Sequence, residues 1–175
     1  MKREPATVPG TPLDVKDLKR EKSFTVAYAP QLHYAWDTGE AIARYLVSLK
    51  EGRLLARRCH NCERVMIPPR MFCERCFRPT DDWVYVRDTG KILTFSLCYV
   101  SWNVTRLKKP DIPAVIAVDG ASDGMGILHI VKKVAPEKVY VGMAVRAVWK
   151  SKAERTGSIT DIAHWEPIKR AGKRT

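Results

Sequence analysis

Four of the five cysteines fall into two pairs of equal spacing, Cys59-His60-Asn61-Cys62 and Cys73-Glu74-Arg75-Cys76, with ten residues between them. Two residues between thiols let each pair close a tight turn that aims both sulfurs to one side. Two such turns facing each other supply a tetrahedral set of thiolates suited to zinc at about 2.3 Å. Pro68 and Pro69, in the loop from Glu63 to Phe72, remove two backbone donors and favour an extended return to the metal. A closed four-sulfur site keeps no open coordination position, so its ion contributes folding free energy, of order ~10 kcal/mol, rather than Lewis-acid chemistry. Iron in a rubredoxin-like site uses the same ligands, and disulfides would use them in an oxidising compartment. The opening Met1-Lys2-Arg3-Glu4-Pro5 has no apolar stretch resembling a signal peptide, which favours a cytoplasmic location and reduced thiols. His60, second in its turn, is expected to face solvent, and Cys98, in an apolar run, reads as a small core residue.

Elements on both sides must hold these turns. Residues 1–33 carry Pro5, Pro9, Gly10, Pro12 and Pro30 around the charged cluster Asp14–Lys22 and read as an extended N-terminal arm. Residues 34–52 read as a helix. Ile42, Tyr45, Leu46 and Leu49 share one apolar face, Arg44, Ser48 and Glu51 take the other, Asp37 is placed to cap the start, and Gly52 stops it. Residues 53–80 form the ribbon, entered by a short strand, Arg53–Arg58. From Lys50 to Arg78 there are eight basic residues (Lys50, Arg53, Arg57, Arg58, Arg64, Arg70, Arg75, Arg78) against Glu51, Glu63 and Glu74. That density is either a solvated surface or a phosphate-facing patch.

Residues 81–168 have β texture. Trp83–Arg87 alternates, and a turn at Asp88-Thr89-Gly90 leads into Lys91–Ser101, where Leu93, Phe95, Leu97 and Tyr99 are expected on the core face with Thr94, Ser96 and Cys98 opposite. A loop, Trp102–Asp111, holds Arg106, Lys108 and Lys109. Ile112–Val118, Gly126–Lys132, Ala144–Trp149 and Ile159–Trp165 complete the strands, and residues 169–175 are a basic tail. Five or so short strands without a convincing helix between them fit a small closed barrel, of which the OB type is the commonest. An SH3-like barrel has a similar strand count.

The chain is long enough, and at 45% apolar rich enough, for one core and a small appendage. Lysine and arginine outnumber acids 31 to 19, which favours polyanionic ligands. No run approaches the ~18 apolar residues of a membrane span. Gly124-Met125-Gly126 lacks the third glycine of a dinucleotide fingerprint and the ending of a P-loop, so it reads as a hairpin turn. His33, His60, His129 and His164 have no metal-ligand spacing with a carboxylate, and no nucleophile elbow is present. His129, between Leu128 and Ile130, is expected on the outer face of its strand. No catalytic residues are assigned.

The helix, Gly52-Arg53-Leu54-Leu55-Ala56-Arg57-Arg58-Cys59, the two cysteine pairs around Pro68-Pro69-Arg70, and a barrel opening near Gly90-Lys91-Ile92-Leu93-Thr94-Phe95 resemble a known family over roughly residues 34–165. It is the family of acyl-CoA-associated zinc-ribbon/OB-fold proteins, first catalogued as domain of unknown function thirty-five. The resemblance implies a mainly β fold: an N-terminal helix, a rubredoxin-like zinc ribbon with Cys59, Cys62, Cys73 and Cys76 as ligands, and a C-terminal OB-fold barrel. It also implies a non-catalytic accessory subunit, in a hetero-oligomer with thiolase-superfamily enzymes (thiolases, hydroxymethylglutaryl-CoA synthases and related acyl-CoA enzymes), bridging subunits and helping to hold acyl-CoA. The family often has glycine after the second and fourth cysteines and proline after the third; this chain has Glu63, Phe77 and Glu74. A non-glycine residue at positive φ costs about 1 kcal/mol, which metal binding offsets.

For the CoA phosphates the candidate contacts are Arg58 and Arg70 in the ribbon and Arg106, Lys108 and Lys109 in the barrel. The alternative function is single-stranded nucleic-acid binding, which zinc ribbons and OB barrels also serve. Its support is Trp102 beside Arg106, Lys108 and Lys109, together with the basic tail. Against it, Leu93, Phe95 and Leu97 are expected in the core, leaving only Tyr99 and Trp102 as stacking platforms.

Overall fold

The computed structural model describes residues 31, 33, 35–101 and 103–168. The chain divides into two units, Met1–Trp36 and Asp37–Thr175, and the architecture below belongs to the second. Residues 1–30 and 32 of the expected arm at 1–33, residue 34, Trp102 and the basic tail at 169–175 lie outside the described residues.

Helix α1 spans Gly39–Glu51, later than the expected start at residue 34. Thr38 occupies the N-cap position, and the Asp37 carboxylate accepts from the Gly39 N–H at 2.8 Å. Gly52 closes the helix at φ 78° with its N–H bonded back to Leu49, the left-handed cap that glycine adopts without a Cβ penalty. Tyr45 and Leu49 are buried as the periodicity predicts, but so is Ser48, assigned above to the polar face. Its hydroxyl donates to the Arg53 carbonyl at 2.7 Å, which satisfies it inside the packed face.

The helix packs on a three-stranded antiparallel sheet of order β2-β1-β5, made of β1 (Leu54–Arg58), β2 (Val65–Met66) and β5 (Asp82–Val86). Between β2 and β5 lies a small hairpin, β3 (Phe72–Cys73) with β4 (Arg78–Pro79). Strand β5 follows the expected ribbon limit at residue 80, yet all five of its residues pair with β1.

The rest is a barrel. Its strands are β6 (Thr89–Phe95), β8 (Arg106–Val118), β9 (Gly126–Val131), β10 (Ala144–Trp149) and β11 (Ile162–Pro167), in the order β6-β10-β11-β9-β8, and β6 closes the ring by pairing with β8. A parallel contact, Val131 with Trp165, joins β9 to β11. This is the five-strand OB arrangement. Trp165, Ile116, Val145, Ile92 and Ile162 fill it, continuous with Leu49, Leu54, Met66 and Ile67 under the helix. Strand β7 (Cys98–Val100) pairs with the first half of β8, so the barrel carries a projecting hairpin.

Four expectations are corrected here. The run Lys91–Ser101 is not one strand: a bulge between Ile92 and Thr94 and a break after Phe95 change its phase, and Ile92 becomes the core residue. Leu93, Leu97 and Tyr99 therefore face solvent, at 44%, 37% and 49% exposure, and only Phe95 packs partly on the core. In β9 the phase is also the reverse of that expected: Leu128 is 67% exposed, while half-buried His129 shares the side of Ile127 and Val131. Arg106, Lys108 and Lys109 lie in β8 rather than a loop. The expected strand Ile159–Trp165 begins as a 3-10 turn, Ile159–Asp161, because the Asp161 carboxylate accepts the N–H groups of Thr156, Gly157 and Ser158 and pins that corner.

Candidate functional site

The two cysteine turns meet. The four Sγ atoms of Cys59, Cys62, Cys73 and Cys76 lie within 4.8 Å of one another, the only such group of metal-binding side chains among the described residues. A tetrahedral ion at about 2.3 Å from each sulfur needs edges of roughly 3.8 Å. The Cys62–Cys73 edge is 3.6 Å, and all five cysteines are free rather than disulfide-bonded. The donor set therefore fits a four-coordinate structural ion.

Backbone and side-chain donors already point at these sulfurs. The N–H of Arg64 bonds Cys62, those of Arg75 and Cys76 bond Cys73, and Asn61 Nδ2 donates to Cys76 Sγ at 3.1 Å. The Arg64 N–H is the largest influence on the Cys62 thiol and pulls it down, but the Cys76 thiol, burial and the remaining thiols outweigh it and push that group up to about 12. Burial raises the Cys73 thiol, yet the Cys76 and Arg75 N–H groups with the Cys62 and Cys59 thiols bring it down to about 7. Crowded sulfurs divide their protons in this way until a cation among them stabilises four thiolates together.

The turns carry the strain that the missing glycines imply. Glu63 stands at φ 55° and Phe77 at φ 49°. Phe77 is exposed and meets Phe72 edge-on, with centroids 6.3 Å apart. His60 faces solvent as expected, with Nε2 2.5 Å from Asp82 Oδ2, so it belongs to the rim and not to the ligand set.

Part of the ribbon's basic surplus is internal. Arg57 is only 6% exposed: its Nε donates to Thr80 Oγ1 at 2.8 Å, its Nη2 to the Thr80 carbonyl, and its guanidinium lies 4.4 Å from the centre of the Trp83 ring. Arg64 is equally sunk, held by Glu74 at 2.7 Å and reaching the Asp123 carbonyl. These two are clamps, and the charge pattern that suggested a phosphate patch does not distinguish a clamp from a free cation. Of the candidate phosphate contacts, Arg58 lies 3.9 Å from Glu63 and Arg70 lies 3.9 Å from Glu74, both in the ribbon. Arg106, Lys108 and Lys109 are exposed on the barrel's hairpin and form no ion pair with a described carboxylate.

What sequence reasoning missed is the outer barrel surface. Tyr99, Val100, Leu93 and Leu128 all face solvent, and Val104, 82% exposed at the hairpin's tip, is held at φ 64°. The signal available was in β9, where Ile127 and Val131 on one face and Leu128 and Ile130 on the other are all apolar.

Two family models match: "ChsH2, rubredoxin-like zinc ribbon domain" over residues 48–82 and "ChsH2, C-terminal OB-fold domain" over residues 83–150. The chain belongs to the DUF35/ChsH2 family. A relative described as a DUF35 domain-containing scaffold protein, from Methanocaldococcus jannaschii, is 32% identical over 118 residues, covering 66% of this chain and 82% of that one. A probable enoyl-CoA hydratase alpha subunit from Thermomonospora curvata is 24% identical over 107 residues, 61% of this chain and only 32% of that protein. Two solved structures share the fold. A DUF35-family protein of unknown function from Sulfolobus solfataricus has a TM-score of 0.54 at 23% identity, covering 63% of this chain and 79% of its own. An Ltp2–ChsH2(DUF35) aldolase has 0.53 at 19% identity, covering 77% and 98%.

Proposed function

We propose that this DUF35 protein is a non-catalytic scaffold subunit that docks on a thiolase-superfamily enzyme, bridges its subunits and helps hold the acyl-CoA they process. Its four-cysteine site takes zinc as a structural ion. The work is done in the cytoplasm, where the thiols stay reduced. The observation that carries this reading is the set of apolar side chains the barrel leaves in solvent: Leu93 on β6, Leu97 just after it, Tyr99 and Val100 on β7 and Leu128 on β9, three strands that all pair with β8. Single apolar side chains are ordinary on a surface, but several on strands that flank one shared strand support a surface that another molecule covers. The scaffold named for the relative with 32% identity, and the aldolase partner named in the structural neighbour, support the kind of molecule that covers it. Arg106, Lys108 and Lys109 are the cations left open to CoA phosphates.

The test is to tag the chain in its source cells, purify it natively and identify what travels with it. Recovery of a thiolase-superfamily enzyme whose acyl-CoA turnover depends on the chain is the expected result. A protein recovered alone, or an enzyme indifferent to it, refutes the proposal. The single-strand-binding alternative predicts that oligonucleotides are retarded in gels, with affinity falling steeply between low and physiological salt.

A further inference from the structure

An OB barrel presents its ligand on the outer face of its second and third strands, between the loops that join strands one to two and four to five. Here that face belongs to β8 and β9, between the β7–β8 hairpin and the 3-10 corner before β11. Pro113 and Ile130 pair across it. With Leu128, Ile159, Ala163 and Lys150 they line a trough of about 530 Å³. Barrels that read single strands place aromatic rings here for bases to stack on. Among the described residues, no phenylalanine, tyrosine or tryptophan lines this trough.

At Ile130 the trough runs into a second groove of about 360 Å³, bordered by Lys109, Lys132 and Lys133. Lys133 is held by Glu166 at 2.7 Å, whereas Lys109, Lys132 and Lys150 form no ion pair with a described carboxylate. The trough is mostly aliphatic, with His129 and Thr160 also lining it, and lysines outnumber the one carboxylate, Asp111, at its ends, on a chain of net charge +12. A small ligand needs most of its surface enclosed. A trough that leaves Leu128 67% exposed covers one side only. A protein surface suits that shape better, with an apolar ridge to fill the floor and carboxylates to meet the lysines.

We infer that this trough seats an acid-rimmed apolar ridge of the thiolase-superfamily subunit, an assignment that rests on the function proposed above. The ligand face of the barrel is then a protein dock, and Leu128 is its central anchor. The lysines steer the encounter.

The experiment uses the full chain and the enzyme recovered with it, by titration calorimetry and stopped-flow binding. Leu128→Glu alters an exposed side chain, so it is expected to keep the wild-type melting temperature and to weaken binding by ~30-fold or more, as loss of a central anchor does. Reversing Lys109, Lys132 and Lys150 to glutamate slows association and flattens its salt dependence. Val47→Glu, on the exposed side of α1, is the control and leaves affinity unchanged. If the complex forms and Leu128→Glu binds like wild type, the trough assignment is overturned while the scaffold function stands. If no enzyme binds the wild-type chain, the scaffold function fails and the dock with it. If CoA or a thymidine oligonucleotide alone protects β8 and β9 amides from exchange, the trough takes that ligand and the inference is overturned.

Discussion

Replacing Cys76 with serine, or chelating the metal, should unravel the second cysteine turn and leave the barrel standing. Hairpin β3–β4 has two paired positions, with further bonds from Phe77 N–H to the Cys73 carbonyl and from Thr80 N–H to that of Met71. At about 1 kcal/mol for each net hydrogen bond these contribute only a few kcal/mol. Ordering the roughly eight residues of the hairpin costs on the order of 8–16 kcal/mol. The shortfall is of the size that a four-thiolate zinc supplies, about 10 kcal/mol or more. Strands β1 and β5 are in a different position, since their five-residue ladder is backed by buried Leu54, Leu55 and Ala56. The assay is residue-resolved amide exchange with elemental analysis of the same sample. One zinc per chain is expected; without it, protection is lost at Phe77 and Thr80 and retained at Ile116 and Ile127. If the metal-free protein still protects Phe77 and Thr80, the metal is not what holds the hairpin.

Three further outcomes follow from particular positions. A Cβ added at Gly90 would stand 2.2 Å from the Ala117 carbonyl oxygen, where β6 closes the barrel; Gly90→Ala should therefore cost about 3 kcal/mol or more in chemical denaturation. Glu63→Gly, at φ 55° with a solvent-facing side chain, should raise stability by up to about 1 kcal/mol and Glu63→Val lower it, read from urea midpoints. Glu166 is hydrogen-bonded by Lys133 and then Arg146, which hold its carboxyl at about 2 against an ordinary 4.5. Its contribution to stability is complete above pH 4.5 and fades as pH falls toward 2, so Glu166→Gln should flatten that part of the acid stability curve relative to wild type. Acid release of metal affects both proteins and cancels in the comparison.

The metal site was legible because its chemistry is local: spacing alone brings two thiols into one turn, and Cys59, Cys62, Cys73 and Cys76 converge as read. The helix stop at Gly52 was equally legible, from backbone freedom, and the strand Ala144–Trp149 falls where the apolar run places it. Strand phase was not. Period-two patterning shows which side chains share a face but not which face turns inward, and a strand apolar on both sides offers no contrast. In β6 the bulge after Ile92 shifted the phase, and in β9 Leu128 and Ile130 lie on the surface side although they look like core. The same ambiguity is informative once resolved, because an isolated barrel gains nothing from an outward Leu128. Arg57 and Arg64 show the converse limit. Whether a cation is free or clamped depends on Thr80, Trp83 and Glu74, residues that only the fold brings near.

The scaffold role proposed above requires parts that are rigidly joined, and the joint here is specific. Val65 N–H donates to Ser122 Oγ at 2.8 Å, Ser122 N–H donates back to the Val65 carbonyl at 3.0 Å, and Arg64 reaches the Asp123 carbonyl. Val65 starts a strand of two residues, and the turn that returns it to β1 is closed by Cys59 N–H bonding the Arg64 carbonyl beside the metal. The ion and the barrel turn therefore grip opposite sides of one short segment. Ser122→Ala leaves the nearly buried Val65 N–H without an acceptor, which costs about 1–3 kcal/mol in the metal-bound protein. In the chelated protein the segment is already loosened and that N–H finds water, so the same substitution should cost well under half as much. A thermodynamic cycle of substitution against chelation, read by urea unfolding, measures the coupling. Equal costs with and without metal would mean that ribbon and barrel stand independently, and that the metal does not fix how the barrel face is presented to a partner.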